Sequence, residues 1–127
     1  MQNSIQFKGY MIQKFCLEKN DNIEKSKKDN ININCNWYKN KEKGKESLYK
    51  ISMNIELYTK LSKIELLLDG IFEFSNDIEE EIKKYFLEVS APAIIYPYAR
   101  AFISNVTAFD TGEAVILPIL NFANRNN

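Results

Sequence analysis

The sequence contains no histidine among its 127 residues. Without an imidazole there is no Ser–His or Cys–His nucleophile pair and no His-ligated metal centre. Cysteine is scarce as well. Cys16 and Cys35 are too few for a disulfide framework or a structural zinc site, and two free thiols are the leading reading, with a single bridge between them as the alternative. No charge of one sign dominates: Lys plus Arg and Asp plus Glu are both 17, so no global basic field argues for nucleic acid. The longest apolar stretches, Leu66-Leu67-Leu68 and Val115 to Leu120, fall far short of a membrane span. The opening Met1-Gln2-Asn3-Ser4-Ile5-Gln6-Phe7-Lys8 lacks the basic stretch and apolar core of an export signal. The expectation is a soluble, cytoplasmic protein without membrane insertion.

What is present is ordinary globular material, 45% hydrophobic, 27% charged and 13% aromatic, for one domain spanning 1–127. A chain of this mass can bury about two-thirds of its unfolded surface without metal or disulfide staples. Asn, Lys and Ile number 15, 15 and 16. They share A/T-rich codons, so the cluster Asn20, Asn22, Asn30, Asn32, Asn34 and Asn36 carries little weight as a prion-like tract. Charge is uneven along the chain: residues 1–60 hold 12 basic and 7 acidic groups, and residues 61–127 hold 5 and 10. The segment Lys39-Asn40-Lys41-Glu42-Lys43-Gly44-Lys45 supplies most of that asymmetry and reads as a solvated hairpin turn rather than a polyanion site.

The first three-quarters of the chain alternate with period two. Ile5 and Phe7 are odd, Gly9 interrupts, Tyr10 and Ile12 are even, and Phe15 and Leu17 are odd again, a strand that bends or bulges. Residues 19–30 form a polar connection. Ile31, Ile33, Cys35 and Trp37 alternate with asparagines, Ile51 to Leu57 alternate again, and Lys63 to Phe74 make a fourth run. Four such strands predict an antiparallel sheet.

The last third changes period. Asn76 with Glu79 suggests a capping box, Ile78, Ile82, Tyr85, Phe86 and Val89 share a helical face, and Pro92 ends the element. Pro97 then opens a second helix with an apolar stripe of Phe102, Ile103, Val106 and Phe109, closed by Gly112. Val115 to Leu120 is extended. The fold class is α+β, a four-stranded antiparallel sheet with two helices packed on one side.

Few residues bear chemistry. Asp110-Thr111-Gly112 is the triplet with which aspartic proteases place two carboxylates on one water, yet here it follows a helical stripe and serves equally as a helix stop. Asn105-Val106-Thr107 matches a glycosylation sequon but falls within a helix. Both cysteines are read on apolar phases of their strands, as packing groups. Aromatic side chains exceed what one sheet needs. The stripe Tyr98, Phe102, Val106 and Phe109 is therefore assigned to contacts between subunits.

Ala91-Pro92-Ala93-Ile94-Ile95-Tyr96-Pro97-Tyr98-Ala99-Arg100 resembles the signature of the SecB export chaperones, including the whole Pro-Tyr-Ala-Arg tetrapeptide. Gly70-Ile71-Phe72, Asn121-Phe122 and the stretch Ile5 to Glu18 are similar to that family at matching distances. The resemblance covers roughly residues 5–122 and is weak between 19 and 60. It implies a SecB-like sheet-and-helix protomer assembled as a homotetramer, a dimer of dimers. It implies a protein that is not an enzyme, uses no cofactor or metal, and holds unfolded polypeptides in apolar grooves for transfer to SecA. On that pattern the client groove is built from Ile31, Ile33, Cys35 and Trp37 with Val115 and Leu117 of the adjoining loop. Glu18 and Glu65 match carboxylates of the SecA-facing surface.

Departures from the family are also expected. Lys14 stands where the family has an aspartate, the crossover Asn20–Asn30 carries no aromatic residue, and net charge is zero. The family's C-terminal helix and SecA-docking tail follow the Asn-Phe pair, and this chain is expected to lack both. The leading reading is an ATP-independent holdase for preproteins. The second is a SecB-like chaperone dedicated to one partner such as an antitoxin. An aspartic protease using Asp110 and a small-molecule binder remain as readings from other classes.

Overall fold

The computed structural model describes residues 4–19 and 30–124. Four strands, β1 (Ile5–Lys19), β2 (Asn30–Lys39), β3 (Leu48–Tyr58) and β4 (Ser62–Phe74), form one antiparallel sheet in the order β1-β4-β3-β2. Hairpins join β2, β3 and β4, whereas β1 lies beside β4 across the sheet from β2, a Greek-key order. The polar connection expected between the first two strands, with its asparagine cluster at Asn20 and Asn22, lies outside the described residues.

The parity changes of β1 have a structural cause. Its register with β4 slips between Phe7 and Gly9 and again between Ile12 and Lys14, so one extra residue enters at each point. Each bulge reverses which parity faces inward. Phe7, Tyr10, Ile12, Phe15 and Leu17 therefore oppose Phe72, Gly70, Leu68, Leu66 and Ile64, all on the face toward the helix. Cys16 opposes Glu65 on the other face, which corrects its assignment to the apolar phase. Cys35 does keep the inward phase of β2, and the two cysteines form no disulfide with one another.

One helical rod lies across one face of the sheet. It begins as α1 (Glu80–Tyr85), passes through a π-helical turn at Phe86–Ser90 and continues as α2 (Ala91–Thr111). The two expected helices are thus segments of one run, divided at the π-turn rather than between Pro92 and Pro97. Pro92 sits in the first turn of α2 and Pro97 inside it. Proline lacks the N–H that an unbroken α-ladder needs. Just before Pro92 the wider turn is closed by the Ala91 N–H on the Phe86 carbonyl, which re-registers the ladder. Asn76 is not the N-cap. That position is Glu79, and it makes no side-chain cap. At the other end Gly112 takes φ 83° and its N–H bonds the Ala108 carbonyl, the left-handed cap that glycine adopts without a Cβ penalty.

Ala91, Ile95, Ala99, Ile103 and Thr107, spaced by four, form the buried stripe of α2. They meet Ile51, Met53, Ile55 and Leu57 of β3 and Ile64, Leu66, Leu68 and Phe72 of β4, all 0–1% exposed. Alternating Ala and Ile lets the rod approach closely, and Gly70 completes the fit. A Cβ built on Gly70 would stand 2.5 Å from Cγ2 of Ile95. Gly70→Ala must displace a packed, β-branched side chain, and overpacking of this kind costs about 1–3 kcal/mol. Urea melts should give that loss, and Gly70→Ala combined with Ile95→Val should recover part of it.

Candidate functional site

Beside the rod, the inward residues of β2 face a cleft of about 650 Å³. Ile33, Cys35 and Trp37 form one wall, and Leu87, Pro92 and Phe122 form the other. Ile33, 6% exposed, and Leu87, 2% exposed, make the floor. Trp37 is 39% exposed and leans on Tyr49 with ring centroids 6.1 Å apart. Asn32, Asn34, Asn36 and Glu88 also border the cleft, so its rim is polar. Ile31 continues the wall as a half-buried side chain packed on the core.

Val115 and Leu117 are not among the lining residues. Leu117 is 0% exposed and belongs to the core, which corrects its expected place on the groove wall. Val115 is half-buried against the same core. Ile33 likewise carries a core role alongside its place in the cleft floor. The extended segment 113–121 runs back along α2 and is fastened to it at three levels. The Thr107 hydroxyl donates to the Ile103 carbonyl at 2.7 Å and accepts the Val115 N–H at 2.7 Å. Arg100 Nε donates to the Leu117 carbonyl at 3.2 Å, and Tyr96 Oη donates to the Pro118 carbonyl at 2.6 Å. Phe122 then packs edge-on against Tyr96 at 5.6 Å and enters the cleft wall.

Helical and strand periodicity could not find Leu87, Pro92 and Phe122 as lining residues, because they meet β2 only through tertiary folding. The signature stretch could have pointed to them, since Tyr96 and Arg100 belong to it and carry the segment that delivers Phe122. The hydroxyl of the sequon at Asn105-Val106-Thr107 is occupied by these structural bonds.

On the opposite flank, β1 and α2 present a second apolar surface. Tyr98 stacks on Tyr10 at 4.2 Å, and Phe102 meets Phe15 edge-on at 5.0 Å. Tyr10, Ile12, Phe15 and Tyr98 are 37–48% exposed and Phe109 is 91% exposed. Val106 and Phe102 are half-buried between them. Tyr98, Phe102, Val106 and Phe109 thus lie along one apolar flank that extends onto β1. Glu18 and Glu65 lie on the sheet face away from the helix, with Glu65 3.8 Å from the Lys14 ammonium.

Asp110 sits at the end of α2, where its carboxylate pairs with Lys19 Nζ and accepts the Ser62 hydroxyl at 2.6 Å. Its side chain is 8% exposed. These contacts fasten the rod's C-terminal end to the end of β1 and the start of β4. They hold the Asp110 carboxyl below the usual range, through Lys19 first and Ser62 second. A proteolytic pair instead needs two carboxylates sharing a proton.

The comparisons with known proteins agree with this architecture. A family model described as preprotein translocase subunit SecB matches residues 1–125. An uncharacterized protein of Methanocaldococcus jannaschii is 30% identical over 126 residues, covering 94% of this chain and 81% of that protein. The protein-export protein SecB of Orientia tsutsugamushi is 39% identical over 64 residues, covering 50% of this chain and 39% of that protein. That match therefore spans well under half the length of that SecB relative. Among solved structures, a SecB-like chaperone of Mycobacterium tuberculosis in complex with a ChAD peptide from an antitoxin superposes with a TM-score of 0.68. It is 12% identical and covers 92% of this chain and 88% of that one. A Streptococcus agalactiae protein of unknown function gives a TM-score of 0.64 at 8% identity, covering 94% of this chain and 100% of that one. Both share the fold.

The Asp110 contacts predict a pH signature. A folded pKa below the unfolded one gives stability that is complete above about pH 4 and is lost as the pH falls through the folded value. Asp110→Asn should destabilise the protein at neutral pH by about 1–3 kcal/mol, since it weakens charge-assisted bonds at a buried hydroxyl. Urea melts from neutral to acid pH should show a flatter acid limb for the variant.

Proposed function

The chain belongs to the SecB family, and from that premise we propose that it is an ATP-independent holdase that keeps non-native polypeptides in the cleft between β2 and the helical rod. The observation that carries this reading is the cleft itself. Its floor is core, Trp37 on its β2 wall is exposed, and its far wall is held in place by Tyr96, Arg100 and Thr107. Such a cleft gains roughly 25 cal/mol per Å² of apolar client surface that it shields from water. That gain requires no particular client sequence, and the cost of ordering the client limits the affinity. No catalytic step enters the proposal, and Asp110 acts as a tie rather than a nucleophile's partner.

The working state that we propose is a cytoplasmic homotetramer, a dimer of dimers. The aromatic surface of Tyr10, Phe15, Tyr98, Phe102 and Phe109 supports it, because a second copy of the same surface would cover these rings. Transfer of preproteins to SecA is the first destination, supported by Glu18 and Glu65 on the free sheet face. Service to one dedicated partner, such as an antitoxin, is the second. What favours it is that Lys14 partly neutralises Glu65 on the surface an acidic SecA contact would use.

Two measurements test the reading. Trp37→Ser should abolish suppression of aggregation of a denatured test protein while shifting stability by less than about 1 kcal/mol. Leu117→Ala should instead cost about 2–5 kcal/mol as a buried truncation. A Trp37→Ser variant that still holds clients would move the site elsewhere. Static light scattering at micromolar concentration should give a dimer or tetramer mass, and Phe109→Asp should lower it. A soluble wild-type monomer would refute the assembly.

A further inference from the structure

The valley between β2 and the rod does not stop at Trp37 and Leu87. Two residues beyond Trp37 on the same phase of β2 stands Lys39, and one helical turn before Leu87 on the rod stands Lys83. Both line a second cleft of about 400 Å³, with Gly44, Ser47 and Phe74 at its sides. Lys39 and Lys83 thus carry the two sides of the first cleft, β2 and the rod, one step further along to two ammonium groups.

The charges around that end are unequal. Lys83 is 16% exposed and has Glu80 at 3.3 Å, but Glu80 is 88% exposed, so the ion pair is largely in water on one side. Lys39 has no ion pair among the described residues. The cleft's own carboxylate, Glu46, accepts the Gly44 N–H at 3.0 Å. In the hairpin above, Lys45 pairs with Glu42 at 3.4 Å, while Lys41 and Lys43 add two more cations. Glu88 borders the first cleft, more than a turn of helix further on from Lys83.

We propose that this groove reads charge as well as apolarity: its occupant is an extended polypeptide segment whose apolar run is followed, over Trp37, by Asp or Glu side chains held by Lys39 and Lys83. This rests on the holdase reading and names the class of client. An extended chain advances about 3.3 Å per residue. A client side chain packed on Trp37 therefore brings the residue two positions on to Lys39. Partial desolvation in the cleft makes each such pair stronger than one on an open surface.

The test uses three fluorescein-labelled nonapeptides with the same Leu/Phe core, amidated at the C-terminus so that only side-chain carboxylates are present. One carries two Asp after the core, one two Ser and one two Lys. Fluorescence anisotropy with the full chain at low salt should show the Asp peptide binding about tenfold more tightly than the Lys peptide, the size expected of two modest ion pairs. The preference should shrink as salt shortens the screening length to about 8–10 Å. It should be lost in Lys39→Gln/Lys83→Gln, with binding of the Ser peptide retained. Equal affinity for all three peptides in the wild type overturns the charge reading and leaves the holdase reading standing. Failure of all three to bind, together with no suppression of aggregation, overturns both. Because the wild-type ranking and its salt dependence need no variant, the outcome does not hinge on the double substitution folding.

Discussion

A single α-helix with its side chains is about 10–12 Å wide, and strands about 4.8 Å apart place the outer pair of a four-stranded sheet about 14 Å from one another. One rod laid on such a sheet cannot cover all four inner faces. Here it packs on β3 and β4, the two central strands, and these carry the residues with no solvent contact. The inner faces of β1 and β2 are left only partly covered, and everything offered to a partner follows from that shortfall. On the β1 side, the uncovered residues include Tyr10, which stacks on Tyr98 of the rod, and Phe15, which meets Phe102 edge-on. On the β2 side they form a valley instead, because the π-turn and Phe122 stand back from Trp37.

The same geometry explains why the signature residues cluster on a few turns of helix. Ala99 and Ile95 set how closely the rod approaches Gly70. Tyr96 and Arg100, on a neighbouring face, bind the carbonyls of Pro118 and Leu117. Tyr98 points to the β1 flank. Three directions of one helix thus serve core, cleft wall and aromatic surface, and a change in the rod's height over Gly70 would move all three together. The tie of Asp110 to Lys19 and Ser62 holds the far end of the rod, so its position is fixed at more than one level.

Much of the strand structure was legible because period two survives in each strand. The odd, even, odd sequence of apolar residues in β1 could be read directly, and the two register slips supply its cause. The alternation in β2 placed Ile33, Cys35 and Trp37 on one wall for the same reason. The glycine cap at Gly112 was legible since its geometry is local. Helix continuity was not. Proline is a strong stop in a uniform α-ladder, yet the rod runs on through Pro92, just after the π-turn, and through Pro97 within α2. Cys16 was misread because its phase depends on which side of the second bulge it falls. Leu117 was misread because an extended segment with alternating apolar residues does not say which of its faces is zipped to a helix.

That last error bears on how a cleft of this kind can hold polypeptide at all. Had Leu117 lined the groove, the wall would have been a loop held only by its own exposed side chains, free to collapse onto Trp37 when empty. Buried beneath three side-chain-to-backbone bonds, Leu117 instead anchors the segment that carries Phe122 to the cleft. If the valley is the client cleft, as proposed, it would remain open without a client, because closing it would break bonds that Tyr96, Arg100 and Thr107 already make. An apolar surface kept apart from its neighbours in this way requires little rearrangement to receive an extended chain. On the holdase proposal, the cost of binding would fall chiefly on ordering the client, the condition under which one rigid cleft could accommodate many sequences and release them again.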